Sequence, residues 1–148
     1  MKQREGQRGQ SLVEFALVLP ILLILVFGII DFSMGLRAYV TLTNATREGA
    51  RFGALGNSAG AYPTDCTGTN STSVIGRVCT TMNGLSLSGV QAVSVLYPAG
   101  KAPGNSVKVS ADYRYNFISP LGDLVSFFSA GAFNEYIDMS ASSDMRLE

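Results

Sequence analysis

Histidine is absent from this chain, and cysteine occurs only twice. A histidine-based catalytic triad is therefore excluded, and two cysteines with scattered acids argue against a zinc site. No excess of one charge exists either: eleven basic residues face eleven acidic ones. Such a balance creates no net field to draw nucleic acid, and no basic cluster marks the part after residue 30. The chain has no P-loop and no dinucleotide glycine fingerprint. Neither an enzyme nor a cofactor is expected, and nucleic acid is not an expected partner.

What the chain does have is one long apolar run, Leu12 to Ile30 (LVEFALVLPILLILVFGII), followed directly by Asp31. At about 1.5 Å per residue it spans roughly 28 Å, close to the hydrocarbon thickness of a bilayer. Within it stand one charge, Glu14, and one helix breaker, Pro20. Before it lies a short peptide, MKQREGQRG, in which Lys2, Arg4 and Arg8 outweigh Glu5. Basic residues ahead of a first apolar helix stay in the cytoplasm, so the chain after Ile30 is expected outside.

Three readings fit this arrangement. A cleaved secretory signal would have a shorter apolar core ending in small residues, whereas DFSMGLRAY follows here. An uncleaved signal anchor fits the length. A third reading uses Glu14, since a carboxylate within a spanning helix is costly and normally has a partner or a function. A cut between Gly9 and Gln10 would put a new amino terminus one helical turn, at i and i+4, from Glu14. During assembly, the free amine of a neighbouring subunit would then neutralise the carboxylate.

GQSLVEFALVLP, an apolar run ending in GIIDF and then NATREGARFGA resemble the TadE-like pseudopilins of bacterial Tad/Flp pilus systems. The resemblance covers about Arg8 to Ala54. It implies cleavage between Gly9 and Gln10 by a prepilin peptidase, with Glu14 as the fifth mature residue. A minor, pilin-like role in a type IV-type filament follows from it, the major Flp pilins being much shorter. The implied partners are the peptidase, other pilins or pseudopilins, the Tad inner-membrane assembly machinery and the membrane itself. The implied location is the bacterial cytoplasmic membrane, crossed once, or the pilus at the cell surface.

Pro20 lacks an N–H and frees the carbonyl of Ala16, so a kink or looser turn is expected there, tolerable in a membrane helix. No strong breaker separates Asp31 from Ala54, and the helix is expected to continue to about residue 55. Phe32, Leu36, Tyr39, Val40 and Thr43 form an apolar stripe at three-to-four spacing. Ala45, Gly49 and Gly53 recur every four residues and make a small face that lets another backbone approach closely. That face packs either on the chain's own sheet or on another subunit. Arg47, Glu48 and Arg51 read as a charge cluster on the helix surface.

Residues 56–72 are rich in Gly, Ser, Thr, Asn and Pro and read as a loop, followed by a short helix over Ser73 to Met82. In an oxidising exterior, Cys66 and Cys79, thirteen apart, most simply form a disulfide, and they lack the CxxC spacing of a redox pair. Period-two alternation then predicts three strands, at Gly89–Tyr97, Ser106–Phe117 and Tyr136–Leu147, the first two joined by PAGKAPGN. In the third, Ile137, Met139, Ala141, Met145 and Leu147 form the apolar side. Between the last two strands, Pro120 to Phe133 reads as a short greasy helix that suits the core, the membrane surface or a partner.

The expected fold is α+β and pilin-like, with a long N-terminal transmembrane helix packed on a small antiparallel sheet with short helices. Its parts are a basic leader 1–9, a spanning helix 10–30 and an exterior domain 31–148. That domain divides into the helix to about 55, loop and short helix over 56–84, and a sheet region over 89–148. The alternative function is a permanently anchored exterior binding module that keeps its leader.

Overall fold

Helix formation starts inside the basic leader. In the computed structural model, which describes residues 5–60, 66, 72–118 and 136–148, helix α1 runs from Glu5 to Ala54. Residues 5–9 of the leader and the span are thus one helix across the Gly9–Gln10 junction. Leu, Ala, Met and Glu are strong helix formers, which suits this stretch. Its hydroxyls satisfy themselves locally: Ser33, Thr41 and Thr43 donate to the carbonyls four residues back at 2.7, 2.9 and 2.9 Å. The helix stops where Gly56 adopts a positive φ of 78° and its N–H bonds the Gly53 carbonyl. Left-handed glycine is a common helix terminator, because it has no Cβ to clash.

The chain divides into two compact units, residues 1–34 with 117–135, and residues 35–116 with 136–148. In the first, most of the large apolar side chains of the run, from Leu12 to Ile30, are exposed, with Leu19 and Phe27 half-covered. The short helix expected over Pro120 to Phe133 lies outside the described residues.

The second unit holds a three-stranded antiparallel sheet in the order β1 (Val90–Leu96), β2 (Ser106–Asn116), β3 (Tyr136–Arg146). On β2, Val107, Val109, Ala111, Tyr113 and Tyr115 are buried, and the residues between them face outwards or are half covered. That alternation is the period-two signal of a half-buried strand. β1 carries a bulge at Gln91, where the register slips between Val90 and Ala92. A single 3-10 turn, Leu87–Gly89, leads into it. Gly89 has to be glycine: a Cβ there would sit 2.6 Å from the Arg114 carbonyl oxygen and 2.7 Å from the Tyr113 ring.

Helix α2 (Val74–Thr81) starts at Ser73, whose Oγ accepts the Gly76 N–H at 3.0 Å. Such a cap is worth about 1 kcal/mol. Val74, Ile75, Val78 and Met82 turn inwards, with Cys79. The core lies between α2, the inner face of the sheet and the C-terminal half of α1. Leu42, Val74, Val78, Met82, Val93, Val107 and Val109 are fully buried there. Each such side chain contributes about 1.5–3 kcal/mol by leaving water.

Apolar spacing and burial part company at two places. The stripe of Leu36, Tyr39 and Val40 does not enter this core; all three stay about half exposed, and Phe32 in the first unit more so. What α1 buries in the second unit is Gly35, Ala38, Leu42, Ala45, Thr46, Gly49, Ala50, Gly53 and Ala54. The reason is volume. Valines and tyrosines already fill the inner face of β2, so the helix can close on it only through small residues. On β3, Ile137 shares the inner face with its register partner Tyr115 but stays 47% exposed, since this strand forms one edge of the described sheet.

Candidate functional site

The N-terminal end of α1 gathers the junction residues. Gly9 and Gln10 are exposed, and a Cβ on Gly9 would meet nothing within 4 Å. Glycine weakens a helix by about 1 kcal/mol against alanine, which favours local opening at this point. Gln10 Nε2 donates to Glu14 Oε1 at 3.3 Å, one helical turn on. The carboxylate thus already has a polar partner on residue 10. Were the chain cut after Gly9, the new ammonium would sit on that same residue. Pro20 lies on the exposed surface of α1, and the helix continues on both sides of it.

At the other end of the apolar run the structure singles out a residue that has no role in the sequence analysis. Asp31 is only 4% exposed, and its Oδ1 accepts the N–H of Ile118 at 3.1 Å. One signal pointed to it: counted back from Gly49 through Ala45, Leu42, Ala38 and Gly35, the alternation of four- and three-residue steps reaches Asp31.

The small face is used within the second unit. A methyl group on Gly49 would collide with the Val78 side chain and lie 3.4 Å from Val109. One on Gly53 would lie 3.2 Å from Val107 and 3.4 Å from Val74, and Ala45 is fully buried. Beside this face, Arg77 Nε and Nη2 both donate to Glu48 Oε1, at 3.2 and 3.0 Å, with Arg51 3.7 Å away on the other carboxylate oxygen. The guanidinium of Arg77 also lies 5.9 Å from the centre of the Phe52 ring. Glu48 thereby ties α1 to α2. Arg47 stays exposed.

Cys66 and Cys79 are joined by a disulfide, with their Cα atoms 5.4 Å apart. The bond attaches α2 to the loop before it. Closing a thirteen-residue separation in this way stabilises by about 3 kcal/mol on the chain-entropy model.

The outward face of the sheet is polar. Arg114 Nε and Nη2 hold both oxygens of Asp138 at 2.7 and 3.0 Å, across the β2–β3 register, and the guanidinium lies 4.0 Å from the Tyr136 ring centre. Hydrogen bonding from Arg114 holds the Asp138 carboxyl below its ordinary range and raises Arg114 in turn. A carboxylate fixed in this way is a poor proton donor near neutrality. A shallow hollow of about 350 Å³ beside the pair is lined by Gln91, Asp112, Tyr113, Arg114, Asp138, Met139 and Ser140. Burial pushes the Tyr113 phenol up, with a bond from the Ser86 backbone pulling the other way. Among the described residues no group of three His, Cys, Asp or Glu side chains is placed to hold a metal ion.

The chemistry-bearing features therefore concentrate on α1: a glycine junction, a carboxylate one turn later, and a helix long and apolar enough to cross a membrane. Such a helix fits a single-pass membrane anchor. No curated protein and no solved structure matches the chain. One protein family does match, and over this same stretch: the chain carries a TadE-like segment at residues 9–51, by its match to the family model described as TadE-like protein.

Proposed function

We propose that the chain is a minor, pilin-like subunit that takes part in assembling a Tad/Flp-type pilus, after removal of its leader by a prepilin peptidase. The observation that carries this reading is the placement of Gly9, Gln10 and Glu14 at the head of the apolar helix, within the TadE-like segment. Its role is structural rather than catalytic. The peptidase cuts between Gly9 and Gln10, and the span then holds the subunit in the cytoplasmic membrane with residues 31–148 outside. Glu14, fifth in the processed chain, neutralises the amino terminus of a neighbouring pilin or pseudopilin as the subunit docks on the Tad inner-membrane machinery. In hydrocarbon, a carboxylate and an ammonium attract strongly once both have lost water, which makes the pair selective for correct register.

Glu14→Ala tests this directly. The variant is expected to lose its leader normally yet fail to co-purify with pilus components, read by mass spectrometry and by pull-down from native membranes. Co-purification at the level of the unaltered chain would remove the role given to Glu14.

A further inference from the structure

Asp31 is the first residue past the apolar run, so in a spanning helix it stands where hydrocarbon gives way to lipid headgroups. A carboxylate there would ordinarily turn outwards to water. Asp31 is instead 4% exposed and accepts the backbone N–H of Ile118 at 3.1 Å. A buried carboxylate needs such partners. The bond fixes the chain at Phe117–Ile118 beside the end of the span, although 87 residues separate the two in sequence.

The side chains around this bond point the other way. Phe32, next to Asp31, is 73% exposed, and Ile118 is 68% exposed. Met34 and Ile29 are exposed as well, and the Ser33 hydroxyl is satisfied by the Ile29 carbonyl of its own helix at 2.7 Å. Burying an acid while presenting phenylalanine and isoleucine is the reverse of a water-facing surface. This apolar patch is continuous with the exposed apolar surface of the span. In sequence, the chain from Phe117 to Phe133 has a single charged residue, Asp123, and carries Phe127 and Phe128.

We propose that Phe32 and Ile118 form a lipid-facing collar at the outer boundary of the span, and that Asp31 is the positioning residue holding Ile118 there. The surface that covers them is the bilayer interface. Asp31 acts through the backbone of Ile118, withdrawing its own charge from the lipid as it places the isoleucine side chain into it. The collar gives the anchor a second point of attachment and fixes how deep the helix sits. A helix alone can slide and tilt, but one with a side segment bonded at the boundary resists both. This inference rests on the reading of α1 as a membrane anchor.

The chain contains no tryptophan, so single tryptophans report without background. Ile118→Trp, and separately Phe15→Trp, are placed in the full chain and reconstituted into phosphatidylethanolamine–phosphatidylglycerol vesicles carrying lipids brominated near the top of the acyl chain. Quenching at Phe15→Trp reads whether the span is in the bilayer; its absence would overturn the anchor and the collar with it. With the span inserted, Ile118→Trp is expected to be blue-shifted, quenched by the brominated lipid and shielded from aqueous acrylamide. Adding Asp31→Ala should abolish the lipid quenching, whereas Asp31→Asn, which keeps an acceptor oxygen, should retain most of it. Free access of acrylamide to Ile118→Trp would overturn the collar. Shielding from both quenchers would also overturn it, by showing that protein covers the site. Lipid quenching unchanged in Asp31→Ala would overturn the positioning role.

Discussion

The two halves of α1 share one helical backbone and little else. From Leu12 to Ile30 nearly every large side chain is exposed, and apart from Glu14 the composition is apolar on every face. From Gly35 to Ala54 the helix is two-faced: small residues are buried, whereas Leu36, Tyr39, Val40, Asn44 and Arg47 are exposed. The first half suits a solvent without direction, as lipid around a single-pass anchor would be. The second is written for one neighbour of fixed shape, a valine-rich sheet. Hydropathy therefore describes the first half well and the second poorly, because side-chain volume decides which face of the second half turns inwards.

The sharpest way to break that comparison is to make the same substitution on both sides. Leu42→Ala, at a fully buried site, is expected to cost about 2–5 kcal/mol. Leu22→Ala, at an exposed site on the span, should leave the unfolding of the second unit within about 0.5 kcal/mol. Chemical denaturation of the full chain in detergent, followed by circular dichroism, measures both. Equal effects would dissolve the distinction between the halves.

Glycines give the next contrast. Alanine at Gly9 meets open space and raises helix propensity, so fold stability should hold while any effect falls on processing. Alanine at Gly49 gains the same propensity, about 1 kcal/mol, but collides with Val78, a stiff β-branched side chain. Overpacking costs about 1–3 kcal/mol, so a net loss of about 1 kcal/mol is expected in the same denaturation experiment.

The smallest effect lies on the exposed face of the sheet. Arg114→Gln should bring the Asp138 carboxyl back up towards its ordinary value of 3.8, followed by NMR titration of the side-chain carboxyl carbon. Because the folded-state value is the depressed one, the pair's contribution is present above about pH 3.8. It fades as pH falls through the lower folded value. Both groups are solvent-exposed, so screening keeps the consequence for overall stability small.

Much of this was legible in the chain. The alternation of Val107, Val109, Ala111, Tyr113 and Tyr115 survives because β2 is the central strand and buries one face along its whole length. The short helix expected over Ser73 to Met82 is present as α2, because Val74, Ile75 and Val78 give it one buried side, and the structure adds the cap from Ser73 Oγ to the Gly76 N–H. The limits also have physical causes. Leu36, Tyr39 and Val40 are apolar at helical spacing, yet the inner face of β2 leaves no volume for them. Ile137 obeys period two but sits on an edge strand, where alternation no longer means burial. Asp31 reads as the polar end of a span, and nothing local shows that its partner is Ile118, far along the chain. The Gly9–Gln10–Glu14 spacing, by contrast, is local, and one helical turn converts it directly into the bond between Gln10 and Glu14.

The central claim is that α1 begins its working life at Gln10, and the amino terminus tests it most directly. Intact mass and N-terminal peptide mapping of the protein purified from its native membrane, in cells with an active prepilin peptidase, read it out. A start at Gln10 in the unaltered chain, lost in Gly9→Val, is the expected result. A start at Met1 would contradict it, leaving a permanently anchored exterior domain and no amine for Glu14 to neutralise.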